Sequence, residues 1–267
     1  MRGQAPSLRS FSDHRSLRPP CAGAATMPDC WIMNALSQHL IIDADDTLWE
    51  DAVYFEQAIE DFLTLFDRGP HSRQQVRSVL DEIELANSGV HPFGSRTFAE
   101  NLGECYCRVT ESGCAGGAID PEDLAHAREL GKRLLHRPRQ LIPGVAETLQ
   151  YLAPRHELVL YTKGHPAEQS LKVKASGLAI FFRHIEIARE KNAAAYTELA
   201  ARFGMDRPRT WMIGNSPRSD INPALAAGMN AVYIPHAQTW SLEVEEIAPG
   251  AGRLLVLERF SELRQHF

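Results

Sequence analysis

The apolar positions along this chain keep two different periods, and the changes between them divide it into segments. Leu40-Ile41-Ile42 is a continuous apolar run that stops in Asp43-Ala44-Asp45-Asp46-Thr47. It reads as a strand covered on both faces, as in a parallel sheet. The spacing then turns helical. Phe55, Ile59, Phe62 and Phe66 share one face of a helix that Gly69-Pro70 closes. Val76, Val79/Leu80 and Ile83 mark a second helix, and after the turn 88–94 a third carries Phe98, Leu102, Cys105 and Val109. The Gly-rich stretch 112–117 breaks the chain before Asp120-Pro121-Glu122, an N-cap with an N1 proline and a first-turn acid. Leu124, Ala127, Leu130 and Leu134 follow it on one face. Four amphipathic helices with no strand between them predict a small helical bundle inserted after the first strand.

From Pro143 onward the chain alternates regularly. Helices are expected over 144–153, 166–176, 192–203 and 217–227, the last three closed by Gly177, Gly204 and Gly228. Between them lie strands near 157–161, 184–188, 210–213 and 231–235, with a last strand at 254–257 and a helix from about 259. Strands separated by helices of this length imply right-handed βαβ units. The predicted fold is α/β, a Rossmann-like parallel sheet core carrying an inserted helical-bundle cap domain. No Gly-x-Gly-x-x-Gly follows any strand, so a dinucleotide site has no support.

Composition narrows the picture. A content of 44% hydrophobic and 23% charged residues is that of an ordinary globular protein. A net charge of -6 argues against a nucleic-acid partner, and no apolar run approaches the length of a membrane span. Five cysteines do not form a disulfide framework, so a cytoplasmic location is expected. Residues 1–36, with scattered arginines among Ser, Pro, Gly and Ala, lack the apolar core of a secretory signal. They are expected to be a disordered extension outside the fold, and Met27 and Met33 stand just before the first strand. No stripe demands a partner subunit, which leaves the oligomeric state open.

Candidate chemistry gathers at the strand ends. Four strands end in Asp43/Asp45, Thr162, Lys191 and Asn215/Asp220. A parallel sheet puts such ends on one edge, where ligands of open α/β sheets collect. Singly, the acids of 43–46 are equally readable as a polar turn with a cap, while Thr162 alone reads first as a strand-end cap and Lys191 alone as a solvated helix-start lysine. Together, paired carboxylates, a hydroxyl, an ammonium and a further acid suit a phosphate monoester with a divalent cation.

Asp43-Ala44-Asp45-Asp46-Thr47-Leu48 resembles motif I of the haloacid dehalogenase-like (HAD) superfamily. Tyr161-Thr162-Lys163-Gly164 resembles its motif II, Glu190-Lys191 its motif III, and Gly214-Asn215-Ser216-Pro217-Arg218-Ser219-Asp220 its motif IV. The four, in order, span residues 38 to about 240. The resemblance implies a core of residues 37–50 and 141–267, a C1-type helical cap over 51–140, and the phosphatase branch of the superfamily. It also implies roles. Asp43 would be the nucleophile and Asp45 the acid/base. Thr162, the Gly164 amide and Lys191 would bind the phosphoryl group. Asp43, Asp45 through its backbone carbonyl, Asn215 and Asp220 would hold Mg2+. The expected reaction is hydrolysis of a small phosphorylated metabolite.

Asn215 departs from the family pattern, which usually has an aspartate there. It offers a carbonyl oxygen but no charge. Either Asp220 compensates or the site has lost its metal. A 2-haloacid dehalogenase also carries an uncharged motif IV, but it has no leaving alkoxide to protonate and lacks the second motif I acid, so Asp45 favours the phosphatase. A phosphomutase would share every catalytic residue named here. A binding module that has lost catalysis would not need Asp43, Asp45, Thr162 and Lys191 intact. Trp49 and the loop 91–96, with Arg96, are candidates for leaving-group contact, or equally for packing between cap and core. His236 and Trp240 are candidates for the cleft edge. Asp46 is read as a turn residue.

Overall fold

The computed structural model describes residues 37–88, 90, 92–112 and 118–267. The expected N-terminal extension, two positions of the turn after the second helix and most of the Gly-rich break lie outside the described residues.

Among the described residues six parallel strands form one sheet: β1 (His39–Ile42), β2 (Glu157–Lys163), β3 (His184–Ala188), β4 (Thr210–Gly214), β5 (Asn230–Tyr233) and β6 (Leu254–Val256). Their order is β3-β2-β1-β4-β5-β6. This is the Rossmann-like α/β sheet expected from the alternation. The first strand is central, with Ile42 level with Leu160 on one side and Ile213 on the other. Chain order reverses beside β1, which is where a crevice opens at the carboxyl ends of the strands.

The period-2 rule explains why β1 is apolar throughout. Leu40 and Ile42 face one layer with Leu158, Leu160, Trp211 and Ile213, packed by Val145, Leu149, Phe260 and Leu263. Ile41 faces the other layer with Val159, Tyr161 and Met212, packed by Tyr196, Leu199 and Ala224. The helices that cover the sheet are α5 (Val145–Leu152), α6 (Pro166–Ser176), α7 (Ala193–Phe203) and α8 (Asn222–Ala226).

Between β1 and α5 come α1 (Ala52–Leu63), α2 (Arg73–Ser88), α3 (Ser95–Ser112) and α4 (Pro121–Arg133). Their apolar faces make a core of their own, including Phe62, Val76, Leu80, Phe98, Leu102 and Ala127. The chain enters and leaves this helical layer on adjacent paths: Glu50 N–H donates to Gln140 O at 2.9 Å and Ile142 N–H to Leu48 O at 3.0 Å. Asp120 caps α4 by accepting from Glu122 N–H at 2.8 Å, with Pro121 at the first turn, as its sequence dictates.

Two expected helices differ. The helix expected from about 259 is a 3-10 helix, Phe260–Gln265. Its buried residues, Phe260 and Leu263, are three apart, and a three-residue turn puts both on one face. The helix expected over 217–227 begins as a widened turn, Pro217–Ile221, before α8. Ser216 O accepts from both Asp220 N–H and Ile221 N–H, at 2.9 and 3.1 Å, and Pro223 has no N–H to continue the first register.

Candidate active site

The sheet ladder runs one residue past β1, because Asp43 N–H donates to Ile213 O at 2.9 Å. That fixes the Asp43 carboxyl at the crevice. Asp46 then reverses the chain. It takes the left-handed conformation at φ 59°, which Asp tolerates better than most residues, and its carboxylate accepts from Asp51 N–H and Ala52 N–H at 2.8 and 2.9 Å. It is a turn residue that caps α1.

Asp43, Lys191 and Asp220 form the centre of the site. Lys191 is 4% exposed. Its Nζ donates to Asp43 Oδ1 at 2.5 Å and to Asp220 Oδ1 at 2.8 Å. The widened turn aims Asp220 there, and Ser216 N–H donates to its other oxygen at 3.0 Å. A Cβ on Gly214 would collide with that carboxylate, so the last residue of β4 has to be glycine-sized. Thr47 Oγ1 lies 3.2 Å from both Asp43 Oδ2 and Asn215 Oδ1, which turns the Asn215 carbonyl toward the Asp43 carboxyl. Burial pushes the Asp43 carboxyl up to about 7 against the pull of Lys191, with Asp220 adding to the rise. Burial likewise raises Asp220. One ammonium shared by two buried carboxylates leaves negative charge in excess. The donors are all oxygen, so the set fits a hard divalent cation.

Asp45 is held elsewhere. Its carboxylate accepts from Trp49 Nε1 at 2.7 Å, Gln169 Nε2 at 2.8 Å and Lys172 Nζ at 3.0 Å. Burial acts to raise its pKa, but Lys172, Gln169 and Trp49 together hold it below the ordinary carboxylate value. Lys172 also reaches Asp51 at 2.7 Å, and Asp51 pairs with Arg139 at 2.8 Å. The line Asp45–Lys172–Asp51–Arg139 is a buried ion chain beside the site.

Asp43, Asp45, Thr162, Lys191, Asn215 and Asp220 all line one cavity of about 110 Å³. Thr162 is 1% exposed, and its hydroxyl has no hydrogen-bond partner among the described residues, leaving it free for a ligand. Gly164 is a correction. Its N–H donates to Ala188 O at 3.1 Å, continuing the β2–β3 ladder, and it is not among the residues around the cavity. That amide is therefore spent. What Gly164 supplies is φ 145° at a point where a Cβ would stand 2.7 Å from Gln169 Nε2.

Other expectations sort by position. Trp49 is fully buried and orients Asp45, so it packs within the protein. Arg96 is exposed and away from the cavity, whereas Phe93 and Trp240 line it. His236 pairs with Glu50 at 3.1 Å, outside the cavity wall. Sequence reasoning missed Gln169, Lys172, Asp51 and Arg139. It also missed Lys163, whose Nζ contacts Ser219 Oγ at 2.9 Å and Glu243 Oε1 at 2.5 Å.

The sequence profile of the haloacid dehalogenase-like hydrolases matches residues 38–228. The chain belongs to that family. Among solved structures, a haloacid dehalogenase-like family hydrolase from Xanthomonas campestris is 29% identical with a TM-score of 0.74, covering 86% of this chain and 90% of that one. A 2-haloacid dehalogenase from Pseudomonas syringae shares the fold at 24% identity and a TM-score of 0.55, covering 86% of this chain and 97% of its own. In sequence, a phosphoserine phosphatase of Thermus thermophilus is 27% identical over 233 residues, 73% of this chain and 87% of the relative. A phosphatase is thus among the sequence relatives, and a dehalogenase among the structures that share the fold. Among the described residues, no helix is long and apolar enough to cross a membrane.

Proposed function

We propose that this HAD-like hydrolase cleaves a small phosphate monoester through an aspartyl-phosphate. The observation that carries the reading is the pairing of Asp43, at the cavity and 2.5 Å from Lys191, with a second acid, Asp45, on the same wall. A dehalogenase would need the first carboxylate but has no alkoxide for the second to protonate. The Thermus thermophilus phosphatase relative supports the same branch.

In this reading an Asp43 carboxylate oxygen attacks phosphorus, and the bond to the leaving oxygen breaks as Asp45 gives that oxygen a proton. Lys191 and the Thr162 hydroxyl offset the charge on the phosphoryl oxygens. Water then attacks phosphorus, loses a proton to Asp45, and releases phosphate with the Asp43 carboxylate restored. Lys172 keeps resting Asp45 in the base form that this second half uses. For the first half Asp45 must turn from Lys172 toward the leaving oxygen, which relieves the ion pair and lets it hold a proton. Asp43, Asp220, the Asn215 carbonyl and the Asp45 backbone carbonyl would hold Mg2+, which supplies positive charge beside the phosphoryl group. Helices α1–α4, over 51–140, act as a C1-type cap that closes on the core of 37–50 and 141–267 and excludes water from the site.

The test is phosphate release from an aryl phosphate with Mg2+, measured for the native chain and for Asp43→Asn. Loss of activity by at least about 10³-fold in the variant is expected. Full activity in Asp43→Asn sinks the nucleophile assignment. Chloride release from a 2-haloacid without phosphate release transfers the site to the dehalogenases.

A further inference from the structure

The cavity extends from the catalytic carboxylates to the helical layer, and the two ends differ in character. At the far end its wall includes Phe55, Phe93 and Trp240, with ring centroids 5.3 Å apart for Phe55 and Phe93 and 4.7 Å for Phe93 and Trp240. Glu84 of α2 belongs to the same wall and is only 6% exposed. Among the described residues its one hydrogen bond is from Trp240 Nε1, at 3.3 Å. The cation nearest to hand, Arg77, is committed to Glu56 at 2.9 Å and Asp81 at 2.8 Å.

A buried carboxylate with one neutral donor is poorly compensated. Burial pushes Glu84 up to about 7 in spite of Arg77 and the indole bond. Aromatic faces beside a carboxylate are the environment that stabilises an alkylammonium ion, through ring quadrupole and charge together. A neutral or anionic leaving group would leave Glu84 uncompensated, and an anionic one would be repelled by it.

We propose that Glu84, with Phe93 and Trp240, forms a subsite for an ammonium group on the leaving alcohol, so that the substrate class is the phosphate monoesters of amino alcohols. This rests on the phosphatase reading above, and it adds the half of the substrate that the catalytic residues do not contact. Glu84→Gln isolates the charge, because the glutamine carbonyl still accepts from the Trp240 indole and keeps that packing.

The experiment compares phosphoethanolamine with 2-hydroxyethyl phosphate, which differ by an ammonium against a hydroxyl. The native chain is expected to favour phosphoethanolamine at least about tenfold in kcat/KM, and Glu84→Gln to lose at least that factor in the ratio. Calorimetric binding of the same two esters to Asp43→Asn reads the preference without turnover. If aryl phosphate is cleaved but the two esters are equal in both assays, the ammonium subsite is wrong and the phosphatase reading stands. If nothing is cleaved yet phosphoethanolamine binds preferentially and Glu84→Gln abolishes the preference, the subsite stands and the phosphatase reading fails. A preference unchanged in Glu84→Gln also overturns the proposal.

Discussion

Lys172 Nζ lies 3.0 Å from Asp45 Oδ2, so the acid two residues beyond Asp43 rests on a fully buried ammonium. The same ammonium holds Asp51 at 2.7 Å. Removing it in Lys172→Met leaves Asp45 to Trp49 and Gln169 and Asp51 to Arg139 alone, and breaking an ion pair of this kind costs up to about 3–5 kcal/mol. The sign with pH follows from Asp45. Its folded pKa is depressed, so its contribution is present above the unfolded value and is lost as pH falls through the folded one. The penalty of Lys172→Met, read by urea denaturation, is therefore expected to be large at neutral pH and to shrink in acid. An equal penalty at both would mean that the lysine acts by packing alone.

Gly214 sets where Asp220 can stand. A Cβ there meets the Asp220 carboxylate before anything else, so Gly214→Ala is expected to push Asp220 off Lys191. The three atoms nearest to that Cβ all belong to the Asp220 side chain, and the overpacking cost is on the order of 1–3 kcal/mol. Phosphate release should fall by ~10²-fold or more while the chain stays folded, because misplacement of about 1 Å at a reacting centre is that costly. Native activity in a folded Gly214→Ala would remove Asp220 from the machinery.

This end of the candidate site was legible because its residues stand in or within a few residues of strand ends, with Thr162 inside β2, Lys191 three residues past β3 and Asp220 six past β4. Asp43 comes after Ile42 and Asn215 after β4, and strand ends are readable from periodicity. What supports Asp45 was not. Helix α6 buries Glu168, Gln169 and Lys172 alongside Val173, so its inward face is polar and carries no apolar stripe to mark it as inward. That missing stripe, in a helix of eleven residues between two sheet strands, is the signal to look for. Glu84 was hidden differently: in Asp81-Glu82-Ile83-Glu84 it reads as one more acid of a solvated face. The Gly164 amide was misassigned because the length of the β2–β3 ladder depends on pairing, which one strand's sequence does not contain.

Glu84 affects stability even with no substrate bound. Its folded pKa, about 7, lies above the 4.5 of an ordinary glutamate, so between those values the folded chain keeps a proton that the unfolded chain has released. Stability contributed by this group is full below pH 4.5 and is lost as pH rises through 7. Glu84→Gln has no proton to lose. It should match the native chain in acid and exceed it at about pH 8 by up to ~3 kcal/mol, visible as a higher Tm. A variant less stable than the native chain at both pH values would mean that the carboxylate is already compensated within the fold.

Asn215 is the position where the charge of the site is decided. Its carbonyl shares the Thr47 hydroxyl with Asp43, so it stands beside that carboxylate while contributing no charge of its own. Asn215→Asp adds a carboxylate at nearly constant shape. Without metal, it crowds like charge onto Asp43 and Asp220, which Lys191 alone must offset, and the Tm in chelator should fall. With Mg2+ the added charge attracts the ion. Half-saturation for activity should move to at least about tenfold lower Mg2+, and the rise in Tm on adding metal should exceed that of the native chain, as linkage requires of a tighter ligand. An Asn215→Asp chain with an unchanged Mg2+ titration would place residue 215 outside the metal's reach and leave Asp43 and Asp220 to hold the ion without it.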